Sequence, residues 1–207
     1  MSERDWNESY KTGNLPWDTG EPDEHLVKLI NTNGIKSGKA LEVGCGTGTN
    51  SLWLADNGFN VIGVDISRAA LDLAIQKKNN NSHSCDFVLM DFLNDRSLSQ
   101  SFDFVFDRGC FHSFDEESER SLFARQVSRI LKTNGIWLSL IGSTEGGPRD
   151  SGPPRRSAID ITNAIEPYLE ILEMHSVYFQ TNLPFPAKAW FCLSRQRKEA
   201  AEPSTYR

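Results

Sequence analysis

Residues 41–50 read LEVGCGTGTN, an apolar run that breaks into three alternating glycines, Gly44, Gly46 and Gly48. Glycines at this spacing permit a tight turn and let a ligand lie against bare backbone. A helix opening just beyond them would offer unpaired N–H groups to an anion. Three acids recur downstream, each closing an apolar run. Asp65 ends FNVIGVD, Asp91 ends CDFVLMD and Asp107 ends FDFVFD.

The spacing discriminates between ligands. A dinucleotide fingerprint asks for a further glycine where this chain has Thr49. The pattern Gly-x-Gly-x-Gly with Glu42 in front suits S-adenosylmethionine better. That molecule has a small carboxylate for the helix N-terminus and no diphosphate. Its sulfonium and ammonium are cationic, so Glu42 and Asp107 are favourable neighbours rather than repulsive ones. Cys45 lies inside the same turn. Asp65 stands about twenty residues beyond the glycines, where a carboxylate accepts both ribose hydroxyls, with Ile66 next to it. Asp91 would accept from the adenine amino group, and Phe92 would add a backbone N–H or a ring contact.

Such residues act together only if strands bring their ends to one edge. From about residue 39 to 142 the sequence alternates apolar runs with amphipathic stretches. KALEVG, FNVIGVD, CDFVLMD, FDFVFDRG and GIWLSLIG read as strands. EHLVKLINTNG, NSLWLADNG, SRAALDLAIQKK and EESERSLFARQVSRILK read as helices. In the first helix Leu26, Leu29 and Ile30 share a face, and Asn33-Gly34 would end it. In the second, Leu52, Ala55 and Trp53 would turn inward. Ser67 is a fitting N-cap for the third, with Ala70, Leu71, Ala74 and Ile75 as its stripe. The fourth buries Phe123, Val127, Ile130 and Leu131. A further helix, AIDITNAIEPYL, precedes two late strands joined across TNLPFP. Strand–helix alternation with apolar strands predicts an α/β fold with a mainly parallel sheet covered on both faces.

Composition sets the outer limits. A chain of 207 residues with 38% hydrophobic and 24% charged residues can bury one core. Its net charge of −6 disfavours a broad nucleic-acid surface. No apolar run approaches a membrane span, and MSERDWNESY lacks a leader-like stretch. Cys45, Cys85, Cys110 and Cys192 show no C-x-x-C pair, so reduced thiols, no metal centre and a cytoplasmic location are expected.

In order and content, LEVGCGTGTN, VIGVDIS, MDF, FDFVFDRG and LKTNGIWLSL resemble the class I S-adenosylmethionine-dependent methyltransferases. The resemblance implies a Rossmann-like, doubly wound, seven-stranded sheet with one antiparallel strand. It also implies S-adenosylmethionine as donor and S-adenosylhomocysteine as product. LPWDTGEP upstream is similar to the thiopurine, thiol, halide and tellurite methyltransferase branch, which implies that Trp17 folds over the methionyl part of the donor. FDFVFDRGCFHSF resembles that branch where it borders the acceptor. This implies Arg108, Phe111 and Phe114 as acceptor contacts, and offers His112 as a base, with Asp107 in support, should the acceptor need to lose a proton. Arg149 and Arg155, in the loop GGPRDSGPPRRS with Arg156, would hold an anionic acceptor.

The expected organisation is an N-terminal covering segment and helix over 1–37, the methyltransferase domain over 38–195 and a flexible tail over 196–207. The expected reaction is methyl transfer to a small soft nucleophile: a thiol, a halide or a chalcogen oxyanion. Small-molecule O- or N-methylation, protein methylation and non-catalytic donor binding stand as alternatives. Nucleic acid and membrane are not expected partners, and either a monomer or a homodimer fits.

Overall fold

The computed structural model describes residues 5–32, 35, 37–78, 84–99, 102–147 and 152–197. In chain order the elements are α1 (Trp6–Thr12), α2 (Glu24–Thr32), β1 (Lys39–Val43), α3 (Thr49–Asp56), β2 (Asn60–Asp65), α4 (Arg68–Lys78), β3 (Cys85–Leu89) and β4 (Phe102–Arg108). A 3-10 turn at Phe111–Ser113 follows, then α5 (Glu117–Ile130), β5 (Leu131–Gly142), α6 (Ala158–Ile165), β6 (Leu169–Tyr178) and β7 (Lys188–Gln196).

The strands form one sheet in the order β3-β2-β1-β4-β5-β7-β6. β1 lies parallel to β2 and β4, β2 parallel to β3, and β4 parallel to β5. β7 enters between β5 and β6 and runs antiparallel to both, so the sheet is mixed. The chain winds outward from β1 to β3, then returns to β4 and winds the other way. The crevice between β1 and β4 is therefore the topological switch point, where ligands of such sheets bind.

Alternate residues of the strands feed two apolar layers. One joins Leu41, Val43, Val105, Trp137 and Ile141 to Phe123, Val127 and Ile130 of α5 and Ile161 of α6. The other joins Ala40, Val61, Phe104, Phe106, Leu138 and Leu140 to Leu26, Leu29 and Ile30 of α2 and Leu54 of α3. Burial on both faces explains why these strands read as nearly continuous apolar runs.

Local signals set most boundaries. The Ser67 hydroxyl accepts from the Ala70 amide at 3.2 Å and caps α4. Asn57 and Gly58 end α3 with Gly58 at φ 88°. Several details depart from expectation. Leu54 is the fully buried leucine of α3, while Leu52, Trp53 and Ala55 are half-buried around it. Ile75 is exposed, because α4 packs towards the sheet edge at β3 and buries only Ala70, Leu71 and Ala74. β5 begins at Leu131, paired with Phe102, so α5 stops at Ile130. Residues 33–34 and 198–207 lie outside the described residues, and with them the expected helix stop and nearly all of the expected tail.

Candidate active site

A cavity of ≈ 60 Å³ opens at the switch point. Glu42, Gly44, Cys45, Gly46, Thr47, Thr49 and Asn50 form its floor. Tyr10, Trp17, Asp18, Thr19, Glu21 and Asp23 reach it from the N-terminal segment, Arg108 from the end of β4, and Gln180 from the β6–β7 loop. The structure thus brings together Trp17, Glu42, Gly44, Cys45, Gly46 and Arg108 among the residues expected from sequence.

The floor is shaped by hydrogen bonds that fix bare backbone in place. The Asp65 carboxylate accepts from the Gly46 amide at 2.9 Å and from the Ser67 amide at 2.8 Å. Burial raises the Asp65 pKa against the pull of these amides. Gly46 has φ 54°, and a Cβ there would lie 2.6 Å from the Tyr10 hydroxyl. Only glycine allows that turn under so close a cover. Burial, and then the Asp65 carboxylate, push the Tyr10 phenol pKa upward, so it stays a neutral hydroxyl.

α1 lies across this turn. The Asn7 side-chain oxygen accepts from the Ser67 hydroxyl at 2.8 Å and the Ala69 amide at 3.0 Å. Trp17 meets Trp6 and Tyr10 edge-on, with centroids 5.8 and 6.3 Å apart. The loop is tied to the floor where Thr47 donates to Asp18 at 2.6 Å, and Lys77 donates to Thr47 and Thr49 at 2.6 and 2.9 Å. The indole between Pro16 and Asp18 therefore lines the cavity.

Glu42 is 2% exposed. It accepts from Asn50 at 3.0 Å and from the Ser51 hydroxyl. Burial nevertheless pushes its pKa up to about 7. Between about pH 4.5 and 7 the folded chain keeps a proton that the unfolded chain has released, so stability falls as pH rises through that window. The full effect is on the order of 3 kcal/mol. Glu42→Gln removes it, and denaturant melts should show the variant more stable than the parent at pH 8, with the difference vanishing towards pH 5.

Other expected site residues lie elsewhere. Asp107 is sealed at 0% exposure, accepting from the Phe111 amide and the Trp137 indole, both at 2.9 Å. Burial raises its pKa to about 6. It holds the 3-10 turn and does not face the cavity. Phe111, expected at the acceptor, is fully buried between Phe123 and Trp137. His112 is also inside, and its Nδ1 accepts from the Gly142 amide at 2.7 Å, which commits the lone pair that a base there would use. Burial drives the Cys110 thiol pKa upward, with Asp107 adding to it, so this cysteine is packing beneath Gly44.

The Phe92 ring packs on Phe123 at 4.8 Å, so any part it plays at the cavity falls to its backbone. Asp91 is exposed and holds the following turn through Leu93 and Asn94. Ile66 is 58% exposed beside Asp65, and Gly48 lies under the turn rather than on its surface. Phe114 is half-buried against the α5 layer. Arg155 donates weakly to the Gly147 carbonyl at 3.4 Å, while Arg156 holds the carbonyls of His112 and Phe114 and the Asp115 carboxylate, all at 2.8 Å. Arg156 thus ties its loop to residues 112–115. Arg149 lies outside the described residues.

Sequence reasoning missed Tyr10, Asp18, Thr19, Glu21, Asp23, Thr47, Thr49, Asn50 and Gln180 as lining residues. One signal for the first was present. Asp5 precedes α1 and its carboxylate accepts from the Glu8 amide at 3.0 Å, the start of an acid-capped helix that carries Tyr10. Nothing local marks Gln180. Among the described residues, no cluster of His, Cys, Asp and Glu could hold a metal ion, and no helix is long and apolar enough to cross a membrane.

The family model described as thiopurine S-methyltransferase matches residues 1–178. A probable thiol methyltransferase 2 of Arabidopsis thaliana is 32% identical over 151 residues, covering 72% of this chain and 65% of that protein. The match thus spans somewhat less than two thirds of the plant protein. Thiocyanate methyltransferase 1 of Brassica oleracea is 29% identical over 161 residues, covering 77% of this chain and 70% of that protein. Among solved structures, a Burkholderia thailandensis 1,6-didemethyltoxoflavin-N1-methyltransferase with bound S-adenosylhomocysteine superposes with TM-score 0.75 at 13% identity, covering 92% of this chain and 85% of that one. That likeness concerns the fold. With 178 of its residues accounted for by one family model, the chain belongs to the thiopurine S-methyltransferase family.

Proposed function

We propose that this chain transfers a methyl group from S-adenosylmethionine to a small soft nucleophile: a thiol, a halide or a chalcogen oxyanion. The observation that carries the reading is the charge of the cavity. Asp18, Glu21, Asp23 and Glu42 line it against a single arginine, which is already paired with Asp23. Such a surface favours a cation carried on bare backbone and would repel a diphosphate. The named activities of the plant relatives support the acceptor class.

The residues present fit the donor. Gly44 and Gly46 leave backbone that no Cβ obstructs, and Asp65 stands beside them with lone pairs beyond those given to Gly46 and Ser67. Ile66 and the Phe92 amide extend the same edge towards an adenine, with Asp91 beyond them. Trp17 offers an aromatic face to a cation. When bound, S-adenosylmethionine supplies a methyl group on a positively charged sulfur. Glu42, in its ionised form, strengthens the field for that charge. Residues 1–37 then serve as the cover and 38–195 as the transfer domain.

The commitment of His112 Nδ1 to Gly142 favours acceptors that are anionic before they arrive. A thiolate or halide needs alignment and exclusion of water rather than a base, and alignment is what a cavity walled by two chain segments provides. Phe114 and Arg155 remain the acceptor-side candidates. The test is transfer of tritium from methyl-labelled donor to a panel of thiols, iodide, thiocyanate, tellurite, phenols and amines. Label should appear on the soft acceptors. Label confined to hydroxyls or amines overturns the acceptor class, and calorimetry showing NAD but not S-adenosylmethionine bound overturns the donor.

A further inference from the structure

Arg108 was expected to touch the acceptor, yet its guanidinium is spent on the protein itself. Its Nε donates to the Asp23 carboxylate at 2.7 Å. One terminal nitrogen donates to the Trp17 carbonyl at 3.1 Å, and the other to the Gln180 carbonyl. These partners lie 85, 91 and 72 residues away in sequence. The guanidinium also lies over the Phe179 ring, 5.3 Å from its centroid. The side chains of Arg108 and Asp23 are 12% and 1% exposed, so the pair is nearly dry. Asp23 is itself fixed. Its other oxygen accepts from the His25 amide at 2.9 Å at the start of α2, and its own amide donates to Asn50 at 2.9 Å.

We infer that Arg108 is a positioning residue, a clasp that, with Asp23 as counter-ion, fastens the Trp17 segment to the Phe179–Gln180 segment and so sets the closed form of the chamber. Trp17 and Gln180 line the cavity from opposite ends of the chain, and Arg108 bonds to both backbones. The same two segments also meet further out, where Thr181 donates to the Pro16 carbonyl at 2.9 Å and Asn182 to the Asp18 carbonyl at 2.8 Å. Of these, the Asn182 bond is exposed while the Arg108 bonds and the Thr181 bond are part-buried, and the three-armed fork is the inner of the two ties. A planar fork serves three acceptors at once, whereas a lysine is a point charge that can satisfy Asp23 but not both carbonyls. One guanidinium thereby couples the N-terminal segment to the β6–β7 loop. The inference about catalysis rests on the donor reading above; the clasp itself does not.

The test compares the full-length parent with Arg108→Lys and Asp23→Asn, first without ligand. Hydrogen exchange should quicken about tenfold in residues 14–23 and 179–183 together, while β1 and β2 keep their protection. With S-adenosylmethionine present, KM for the donor should rise about tenfold in Arg108→Lys, and kcat on a thiol should fall by less. Asp23→Asn keeps the carbonyl bonds and should show the same pattern more weakly; it also serves if Arg108→Lys does not fold. Exchange that quickens in neither segment, or in only one, overturns the clasp. Unchanged exchange with a raised KM for the acceptor alone also overturns it and returns Arg108 to acceptor contact. A parent chain that binds no S-adenosylmethionine defeats the donor reading, while the ligand-free exchange still decides the clasp.

Discussion

Asp65→Ala lowers the affinity for S-adenosylmethionine about 100-fold or more, measured by calorimetry on the purified chain. A hydrogen bond to a charged group is worth about 1.5–3 kcal/mol, and a ribose presents two hydroxyls to this carboxylate. The same side chain holds the amides of Gly46 and Ser67, so its loss also frees the floor on which the donor would lie. Asp65→Asn separates the two effects, because an amide oxygen can still accept from one backbone N–H while the charge is gone. It should fall between the parent and the alanine variant. An alanine variant with parental affinity removes Asp65 from the ribose position.

Gly48→Val should be the most damaging change to the fold at this site. Gly48 has φ 77°, where a β-branched residue is strongly disfavoured. A Cβ there would lie 2.5 Å from Phe87 Cζ and 2.9 Å from Ala74 Cβ. Left-handed backbone costs roughly 1–2 kcal/mol and overpacking a further 1–3 kcal/mol. Together they amount to about 2–5 kcal/mol, a fall in Tm of roughly 4–20 °C for a domain of this size. Gly48→Ala should fall by less. A thermal melt of the valine variant within a degree or two of the parent would show that α4 and β3 yield to it.

What was legible in the sequence was what neighbours in sequence decide. The strand–glycine–helix turn, the acid that ends β2 and the two-layer burial follow from period and punctuation, whereas Asp91 lies two residues past the end of β3 at Leu89. The place of Trp17 at the cavity did not follow from period or punctuation; turn chemistry in LPWDTGEP marked only a loop, and the resemblance of that stretch pointed to the indole. The side chains that look inward by type were harder to separate. Phe111 and Phe114 follow one strand and look alike, but the first fills a gap between Phe123 and Trp137 while the second stays at the rim. Asp107 lies one residue before the end of β4, while Asp65 is the last residue of β2. Asp107 turns inward because the Trp137 indole and the Phe111 amide are buried beside it and need an acceptor. Asp23, Asn50 and Gln180 reach the cavity through contacts that span much of the chain, and no local pattern records such distances.

β6 has a single neighbour in the sheet, β7, and β7 is the last strand among the described residues. During synthesis β6 therefore leaves the ribosome with nothing to pair with, and it waits for residues 188–196 before it can settle. Gln180 sits on the turn between them, so the wall it provides is made late, against a floor whose strands were translated long before. The late-made β6–β7 turn has to find the early-made Pro16, through Thr181, before this wall of the cavity is in place.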